Sequence, residues 1–265
     1  MTTAWTAIIL AGQRPGSDPL ASHFGETYKA LVRIAGEPMV THVVRTLRTV
    51  PAIGRIIVLA QELDVLAAAV AAGGGADILP SGAGISASIL GVAGRDADWP
   101  LLVTTADHPL LTRQMVEAFM SQVGDADVAV AMVERGTMLA HYPDARRTWL
   151  RFADGAWSGA NLFALTGPPA LAALHVWAEA EADRKRPWRL FRHFGWWLAM
   201  RAITRTIGLG DALERAGQRL NMRAALVPMA DPVAAIDVDK PFDHAQAEAI
   251  LAERAAGLAV PQLSD

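Results

Sequence analysis

The sequence predicts an α/β protein, a single domain built on a doubly wound, mostly parallel β-sheet. Two observations support this prediction. Apolar, strand-like runs alternate with helix-like segments along residues 7–134, the pattern typical of parallel sheets. The chain has 265 residues, of which 52% are hydrophobic and 19% charged, enough to build a large core. We expect one domain over residues 1–265, with 1–133 and 232–251 as its core.

The strands are predicted from short apolar runs, because a strand that is buried on both faces of a sheet lacks polar alternation. They are 7–11, 55–60, 76–80, 100–107 and 127–134. Helices are predicted between them from helical spacing, caps and terminal glycines. They are 38–50, 62–74, 85–95 and 112–123. Ligands of such sheets bind beyond the carboxyl ends of the strands, so the loops after Ala11, Pro80 and Ala106 should share one rim.

Composition excludes several classes of protein. A net charge of −3 argues against a nucleic-acid partner, and the absence of cysteine excludes disulfide frameworks and zinc–thiolate sites. The start of the chain has no basic segment and too short an apolar run for a signal peptide. No uninterrupted apolar run reaches the ~18 residues of a membrane span. We therefore expect a cytoplasmic protein.

The loop after the first strand contains glycines and prolines and is followed by Lys29, one of three lysines among 24 basic residues. A Gly-rich turn lets backbone N–H groups approach phosphates, and a lysine offers them a compact charge. The loop is neither a dinucleotide fingerprint nor a Walker A loop. By itself it is equally consistent with an ordinary strand-to-helix turn.

The loop and the segment after it resemble the nucleotidyltransferases of the glycosyltransferase-A-like, Rossmann-like fold. That group includes molybdenum-cofactor nucleotidyltransferases and sugar-phosphate or alditol-phosphate cytidylyl- and uridylyltransferases. The positions that carry the resemblance are Leu10-Ala11-Gly12, Arg14, Gly16, Lys29-Ala30-Leu31 and Gly36-Glu37-Pro38-Met39. Gln13 departs from the pattern, since the family usually has a second glycine there.

Two later stretches extend the resemblance. Residues 79–94 look like the family's base-reading loop, although Ser86 and Ser88 also suit an ordinary helix cap. Asp107 looks like the family's strand-end aspartate, and a buried carboxylate there suits Mg²⁺. The alternative is an Asp107 that caps a helix or lies in solvent. His108 is interpreted as a residue at the rim of the site.

Residues 232–251 resemble the family's closing strand and the helix after it. Asp237 and Asp239 alternate on that predicted strand, so they should project to one face. One of them should complete the metal site with Asp107. Lys240 replaces the usual threonine, and Asp243 is interpreted as a helix cap.

Residues 134–231 are expected to carry the acceptor side. Asn161 lies in 158–163, which resembles a family strand that lines the acceptor pocket. Upstream, the Arg146–Arg147–Thr148 cluster is read either as a site for an anionic acceptor or as a solvated turn.

Residues 184–210 hold seven Arg or Lys and no Asp or Glu. Pro187 suits the start of a single helix, with Phe191, Phe194, Leu198 and Ala202 on one face and arginines largely elsewhere. Three interpretations stay open: plain packing, a lid in which Arg184 to Arg192 lie over the acceptor, with Arg189 and Arg192 as its contacts, or a peripheral contact with an anionic membrane. Of the two functional ones the lid is favoured, because the protein as a whole is acidic and an anionic acceptor needs local steering.

The resemblance implies transfer of NMP, with CTP as the expected donor, to a small phosphorylated polyol, sugar or hydroxy acid with Mg²⁺ as cofactor. A molybdopterin nucleotidyltransferase and a non-catalytic nucleotide-binding relative are the alternatives. Lys29, Arg14 and Asp107 are the expected catalytic residues, and Asp107, Asp237 and Asp239 the candidate metal ligands. The expected nucleotide contacts are Leu10, Ala11, Gly12, Gln13, Gly16, Lys29, Ser81, Gly82, Ser86, Ser88 and Asp107.

Overall fold

The structure is a computed structural model that describes residues 4–13, 16–182 and 191–257, without the side chains of Ala182, Phe191 and Arg192. Its central sheet contains eight strands. They are β1 (Trp5–Leu10), β4 (Ile53–Ala60), β5 (Asp77–Pro80), β6 (Leu101–Thr105), β7 (Val128–Glu134), β8 (Leu150–Phe152), β9 (Gly155–Leu165) and β10 (Ala224–Pro228). A small hairpin joins β2 (Arg33–Ile34) to β3 (Glu37–Pro38).

The strand order is β10-β7-β9-β6-β1-β4-β5, with β8 paired to β9. β9 runs antiparallel to both of its long neighbours, whereas β1, β4, β5 and β6 are parallel to one another. The prediction of a single-domain, mostly parallel, doubly wound sheet is confirmed. β9 and β10 belong to residues 134–231, so this part of the chain contributes strands to the sheet.

Helices cover both faces of the sheet. They are α1 (Pro19–His23), α2 (Met39–Arg48), α3 (Leu63–Ala72), α4 (Ile85–Val92), α5 (Arg113–Gln122), α6 (Arg135–His141), α7 (Leu171–Ala182), α8 (Phe191–Phe194), α9 (Trp196–Ile203), α10 (Leu209–Arg219) and α11 (Pro241–Ala255). Alternate residues of β1 enter different cores: Ala7 and Ile9 pack with α2 and α5, and Ile8 packs with α4 and α7. This burial on both faces explains the continuous apolar run in the sequence.

The strands and helices predicted along residues 7–134 are all present, with ends shifted by a few residues. Thr112 caps α5 as predicted, since its side chain accepts a hydrogen bond from Met115 N. The predicted α4 ends early, at Val92.

Two predictions outside this region were wrong. The closing strand is absent: Pro232–Ala235 forms a 3-10 helix, and residues 236–239 then run to α11 outside any strand. A proline that lacks an N–H cannot donate to a strand ladder. The single helix predicted from Pro187 is interrupted at Gly195, whose φ of 81° lies outside the helical region, so α8 and α9 are separate helices. Pro187 itself lies outside the described residues.

No helix in the described residues is both long and apolar enough to cross a membrane. A cytoplasmic location stays a prediction.

Candidate active site

A cavity of about 610 Å³ opens at the carboxyl ends of β1, β4 and β5, on the rim expected from the sequence. Its volume lies in the range of small-molecule sites. Seven of the expected nucleotide contacts line it, and they are Leu10, Gly12, Gln13, Gly16, Ser81, Gly82 and Ser88. Tyr28, Gln61 and Glu181 also line it, although no sequence motif indicated them.

Gln13 closes the loop that follows β1. Its side-chain amide donates to Thr27 O at 3.1 Å and accepts from Lys29 N at 3.3 Å. Gln61 accepts from Gln13 N at 3.0 Å and donates to Gln13 O at 3.0 Å, and the Tyr28 hydroxyl donates to Gln61 at 2.9 Å. The residue that departs from the family pattern therefore ties Lys29 to the loop. Arg14 lies outside the described residues.

The loop after β5 is held by Ser88. Its hydroxyl accepts from Gly82 N at 2.9 Å and donates to Gly84 O at 2.7 Å. A Cβ on Gly82 would lie 2.8 Å from Ala87 C and 2.9 Å from Ser88 N, so only glycine fits the close approach of the loop to α4.

Glu181 of α7 caps the amino end of α4. Its carboxylate accepts from Ile85 N at 3.1 Å, from Ser86 N at 3.0 Å and from the Ser86 hydroxyl. Ser86 is fully buried and Ala11 nearly so, and neither lines the cavity. Glu181 is 95 residues from Ser86 in the chain, which explains why no local pattern revealed it.

Lys29 is the centre of a charged cluster next to the loop. Its ammonium donates to the carboxylates of both Asp107 and Asp239. Burial by itself lowers the pKa of Lys29, but the two carboxylates outweigh it, so the pKa lies above its usual range. Lys29 therefore carries its full charge at neutral pH.

Asp107 follows the end of β6, and its side chain is 19% exposed. Burial raises the pKa of its carboxyl, Lys29 opposes that shift, and the negative charge of Asp237 adds to it. Asp107 Oδ1 is buried without a hydrogen-bond partner among the described residues. An acceptor of this kind requires a cation or donor to balance its desolvation.

Asp237 and Asp239 have different partners. Arg147 donates to its Oδ1, and Asn161 Nδ2 donates to its Oδ2 at 2.9 Å. Burial opposes ionisation of Asp237, but these two donors outweigh burial and hold its pKa below the usual range. Because the predicted strand is absent, the two aspartates do not share one face in strand register. Val238, between them, donates to Asp107 O at 2.9 Å.

Asp107 and Asp239 fit a magnesium site. Their carboxylates meet at one ammonium, the side chain of Asp239 is 58% exposed, and Asp107 Oδ1 is unpartnered in the described structure. The described residues contain no group of three or more His, Cys, Asp or Glu that could hold a metal. Two carboxylates suffice where substrate phosphates supply further oxygen ligands, as is usual for Mg²⁺.

The residues expected on the acceptor side have different environments. Arg147 is not part of a solvated turn: its side chain is 11% exposed and also lies 3.8 Å from the Asp243 carboxylate. The guanidinium of Arg146 lies 5.4 Å from the Phe242 ring centroid, and Thr148 is exposed. Asn161 faces Asp237. Arg189 and the side chain of Arg192 lie outside the described residues.

The structure places His108 in the interior and Asp243 at the start of a helix. His108 is not at the rim: it is 1% exposed, and burial lowers its pKa to about 4, so it is neutral at physiological pH. The apolar residues that follow it, Leu110 and Leu111, are also buried and draw this turn into the core. Asp243 caps α11 as predicted, accepting from Lys240 N at 2.9 Å.

Comparison with known proteins gives concordant results. The family model for the MobA-like NTP transferase domain matches residues 7–193. A 3-deoxy-manno-octulosonate cytidylyltransferase of Methylorubrum populi is 28% identical over 242 residues, covering 85% of this chain and 91% of the relative.

Among solved structures, a hypothetical transferase from Thermus thermophilus superposes with a TM-score of 0.77 at 28% identity, covering 91% of this chain and 99% of that one. A 4-diphosphocytidyl-2C-methyl-D-erythritol synthase from Anaerococcus prevotii gives 0.60 at 11% identity, covering 95% and 100%. A CMP:2-keto-3-deoxy-manno-octonic acid synthetase complexed with CTP gives 0.56 at 17% identity, covering 95% and 100%. The last two similarities concern the fold.

Proposed function

The chain belongs to the MobA-like NTP transferase family and is a nucleotidyltransferase, and we propose that it transfers CMP from CTP to a small phosphorylated acceptor with release of pyrophosphate. Cytidine is favoured because the named relatives are cytidylyltransferases. The acceptor class is a polyol, sugar or hydroxy-acid phosphate.

The observation that carries the proposal is the charged cluster beside the cavity. Gln13 lines the cavity and accepts from Lys29 N, and the ammonium of Lys29 contacts Asp107 and Asp239. A nucleoside triphosphate in the cavity would therefore have a partly buried cation, 18% exposed, and two carboxylates next to its phosphates. Such a site combines charge neutralisation with positions for a metal ion.

The reaction needs little acid–base chemistry from the protein. An oxygen of the acceptor phosphate attacks the α-phosphorus, a new P–O bond forms, and the bond to the bridging oxygen breaks as pyrophosphate leaves. The attacking oxygen is already anionic, so no general base is required. The chain holds the two reactants in line, and Lys29 balances negative charge that moves onto the leaving group.

Asp107 and Asp239 are the proposed ligands of Mg²⁺, because both oxygens of Asp237 accept from protein donors. When bound, Mg²⁺ supplies positive charge to phosphate oxygens in the transition state. Asp237 instead orients Arg147 and Asn161, which we propose contact the acceptor.

A pyrophosphate-release screen tests the proposal. Four NTPs are each combined with phosphorylated polyols, sugars and hydroxy acids, with sugar acids, and with molybdopterin. We expect release with CTP and one phosphorylated acceptor. Turnover confined to molybdopterin or to an unphosphorylated sugar acid would contradict the acceptor class. Nucleotide binding by calorimetry without pyrophosphate release from any pair would contradict transfer itself.

A further inference from the structure

Helix α9 presents four of its five large apolar side chains to solvent, Leu198 being only partly exposed. The exposed fractions are 68% for Trp196 and Trp197, 42% for Met200 and 67% for Ile203. The side of α9 that packs on the protein carries the small Ala199, which is 8% exposed. This is the reverse of an ordinary surface helix, which buries its large apolar residues. Contiguous exposed apolar surface of this kind marks an interaction site.

The chain around α9 is strongly basic. Residues 184–210 contain seven Arg or Lys and no Asp or Glu, although the whole protein has a net charge of −3. Arg201 lies on α9, and Arg205 follows it as an exposed residue with a φ of 54°. The described part of α9 and the turn after it thus supply two arginines beside the apolar face, which fits a partner that combines hydrocarbon with negative charge.

The apolar surface also extends beyond α9. Phe194, two residues before the helix, lines an open cavity of about 340 Å³ between α7 and α10. Its walls include Phe163, Trp177 and Leu220, with no charged residue among them. A partner whose hydrocarbon covers α9 would find this cavity as a second apolar surface beside the helix.

A second copy of the chain is a poor occupant for this surface. An eight-residue helix is about 12 Å long and ~10 Å wide, which is far less than the ~800 Å² per partner of a stable interface. A symmetric dimer through α9 would also bring Arg201 and Arg205 of one copy towards those of the other, and like charges repel.

We propose that α9 docks on the surface of an anionic lipid bilayer. Trp rings suit the headgroup boundary, where an apolar body and a polar N–H are both accommodated. Met200 and Ile203 enter the acyl boundary, and Arg201 and Arg205 contact anionic headgroups. The helix lies in the plane of the interface. This inference does not depend on which base or acceptor the active site uses.

Vesicle sedimentation tests the proposal. The purified full chain is mixed with vesicles of phosphatidylcholine, either pure or with 40% phosphatidylglycerol (roughly the charge density of an anionic leaflet). We expect binding to the mixed vesicles that falls as salt rises, and little binding to pure phosphatidylcholine. The triple variant Trp197→Ser, Met200→Ser, Ile203→Ser should lower the partition coefficient by about tenfold or more.

Two further variants sharpen the result. Leu150→Ser removes an apolar side chain of comparable exposure, 49%, from strand β8 and should bind like the wild type. Arg205→Gln should weaken binding about fivefold at low salt and less at high salt. Melting temperature and pyrophosphate release should be unchanged in the α9 triple variant, which separates docking from the active site.

Three outcomes would overturn the proposal. The first is a wild type that fails to sediment with anionic vesicles, and the second is a triple variant that binds as well as the wild type. The third is self-association in analytical ultracentrifugation that the triple variant abolishes, which would assign the face to a second copy.

Discussion

Single residues in the charged cluster have distinct tasks that their partners define. Lys29 contacts two carboxylates at once, Asp107 keeps one buried oxygen unpartnered in the described structure, and Asp237 is bound by Arg147 and Asn161. A buried acceptor of this kind requires a cation or a hydrogen-bond donor to balance its desolvation. Of the three aspartates, Asp107 and Asp239 therefore fit metal binding and Asp237 fits orientation of the acceptor side.

Asp107→Ala should lower kcat by about 10²-fold or more, because it removes a carboxylate that acts in the transition state. The fold should persist, since the substitution relieves repulsion between Asp107 and Asp237. Steady-state pyrophosphate release measures the effect. Asp77→Ala, in an exposed ion pair with Arg55, is the control. A kcat within a few-fold of wild type would remove Asp107 from the site.

Lys29→Ala should raise the KM for the nucleotide and lower kcat, and Lys29→Arg should recover only part of the loss. A single Nζ reaches both carboxylates, whereas a planar guanidinium requires more room and a different geometry. Kinetics at varied nucleotide concentration check both variants. Lys240→Ala, at an exposed lysine beside Asp239, controls for net charge. Wild-type kinetics in the arginine variant would contradict this explanation of the lysine.

Glu181→Gln should raise the KM for the nucleotide by about tenfold and leave kcat nearly unchanged. The carboxylate accepts from three donors at the start of α4, and an amide has one acceptor oxygen, so the loop after β5 would loosen. The matched control is Glu179→Gln. Glu179 lies two residues earlier on α7 and does not line the cavity. Equal nucleotide KM values in both variants would show that Glu181 does not shape the site.

At the scale of elements, the loop after β5 is fixed by packing against α4 as well as by hydrogen bonds. The β5 loop is pressed onto α4 at Gly82 and is tied to Ser88. Glycine permits this approach because it lacks a Cβ. The loop can therefore present its backbone to the cavity in a defined conformation.

Gly82→Ala should destabilise the protein by about 1–3 kcal/mol and weaken nucleotide binding, because the new Cβ would overlap backbone atoms of α4. Gly91→Ala is the paired control: nothing lies within 4 Å of its Cβ, and alanine favours helix. Urea unfolding of both variants measures the difference. Equal stability for Gly82→Ala and wild type would show that the loop relaxes without cost.

At the scale of the whole molecule, the pairing of Arg147 with Asp237 joins segments that lie 90 residues apart. Both side chains are at most 20% exposed, and Asn161 of β9 completes the contact. The pair thereby joins the segment between β7 and β8 to the segment before α11, next to Asp107. Breaking one partner of such a pair leaves an uncompensated charge in the interior.

Arg147→Met should therefore cost about 2–4 kcal/mol of stability, because Asp237 loses its main cation. The double variant Arg147→Met, Asp237→Asn should recover part of that cost. A double-mutant cycle from urea unfolding gives the coupling energy. Strict additivity of the two single variants would show that the pair contributes nothing as a unit.

The sequence by itself determined the fold class, the elements along residues 7–134 and the family. Strands buried on both faces leave continuous apolar runs, and helix caps such as Thr112 leave local signals. Lys29, Asp107 and the glycines of both loops could be found from the sequence as well, because each lies in a short motif that resembles one of the family.

Only the tertiary structure decided how these residues are partnered. Glu181 reaches Ser86 across 95 positions, and Gln61 holds Gln13 across 48, so neither leaves a local pattern. The separate partners of Asp237 and Asp239 follow from a segment that lies outside any strand where the sequence predicted one. The exposure of Trp197 and Ile203 likewise depends on which face of α9 packs against the protein. Contacts of this kind depend on how distant segments pack, which periodicity along one segment does not encode.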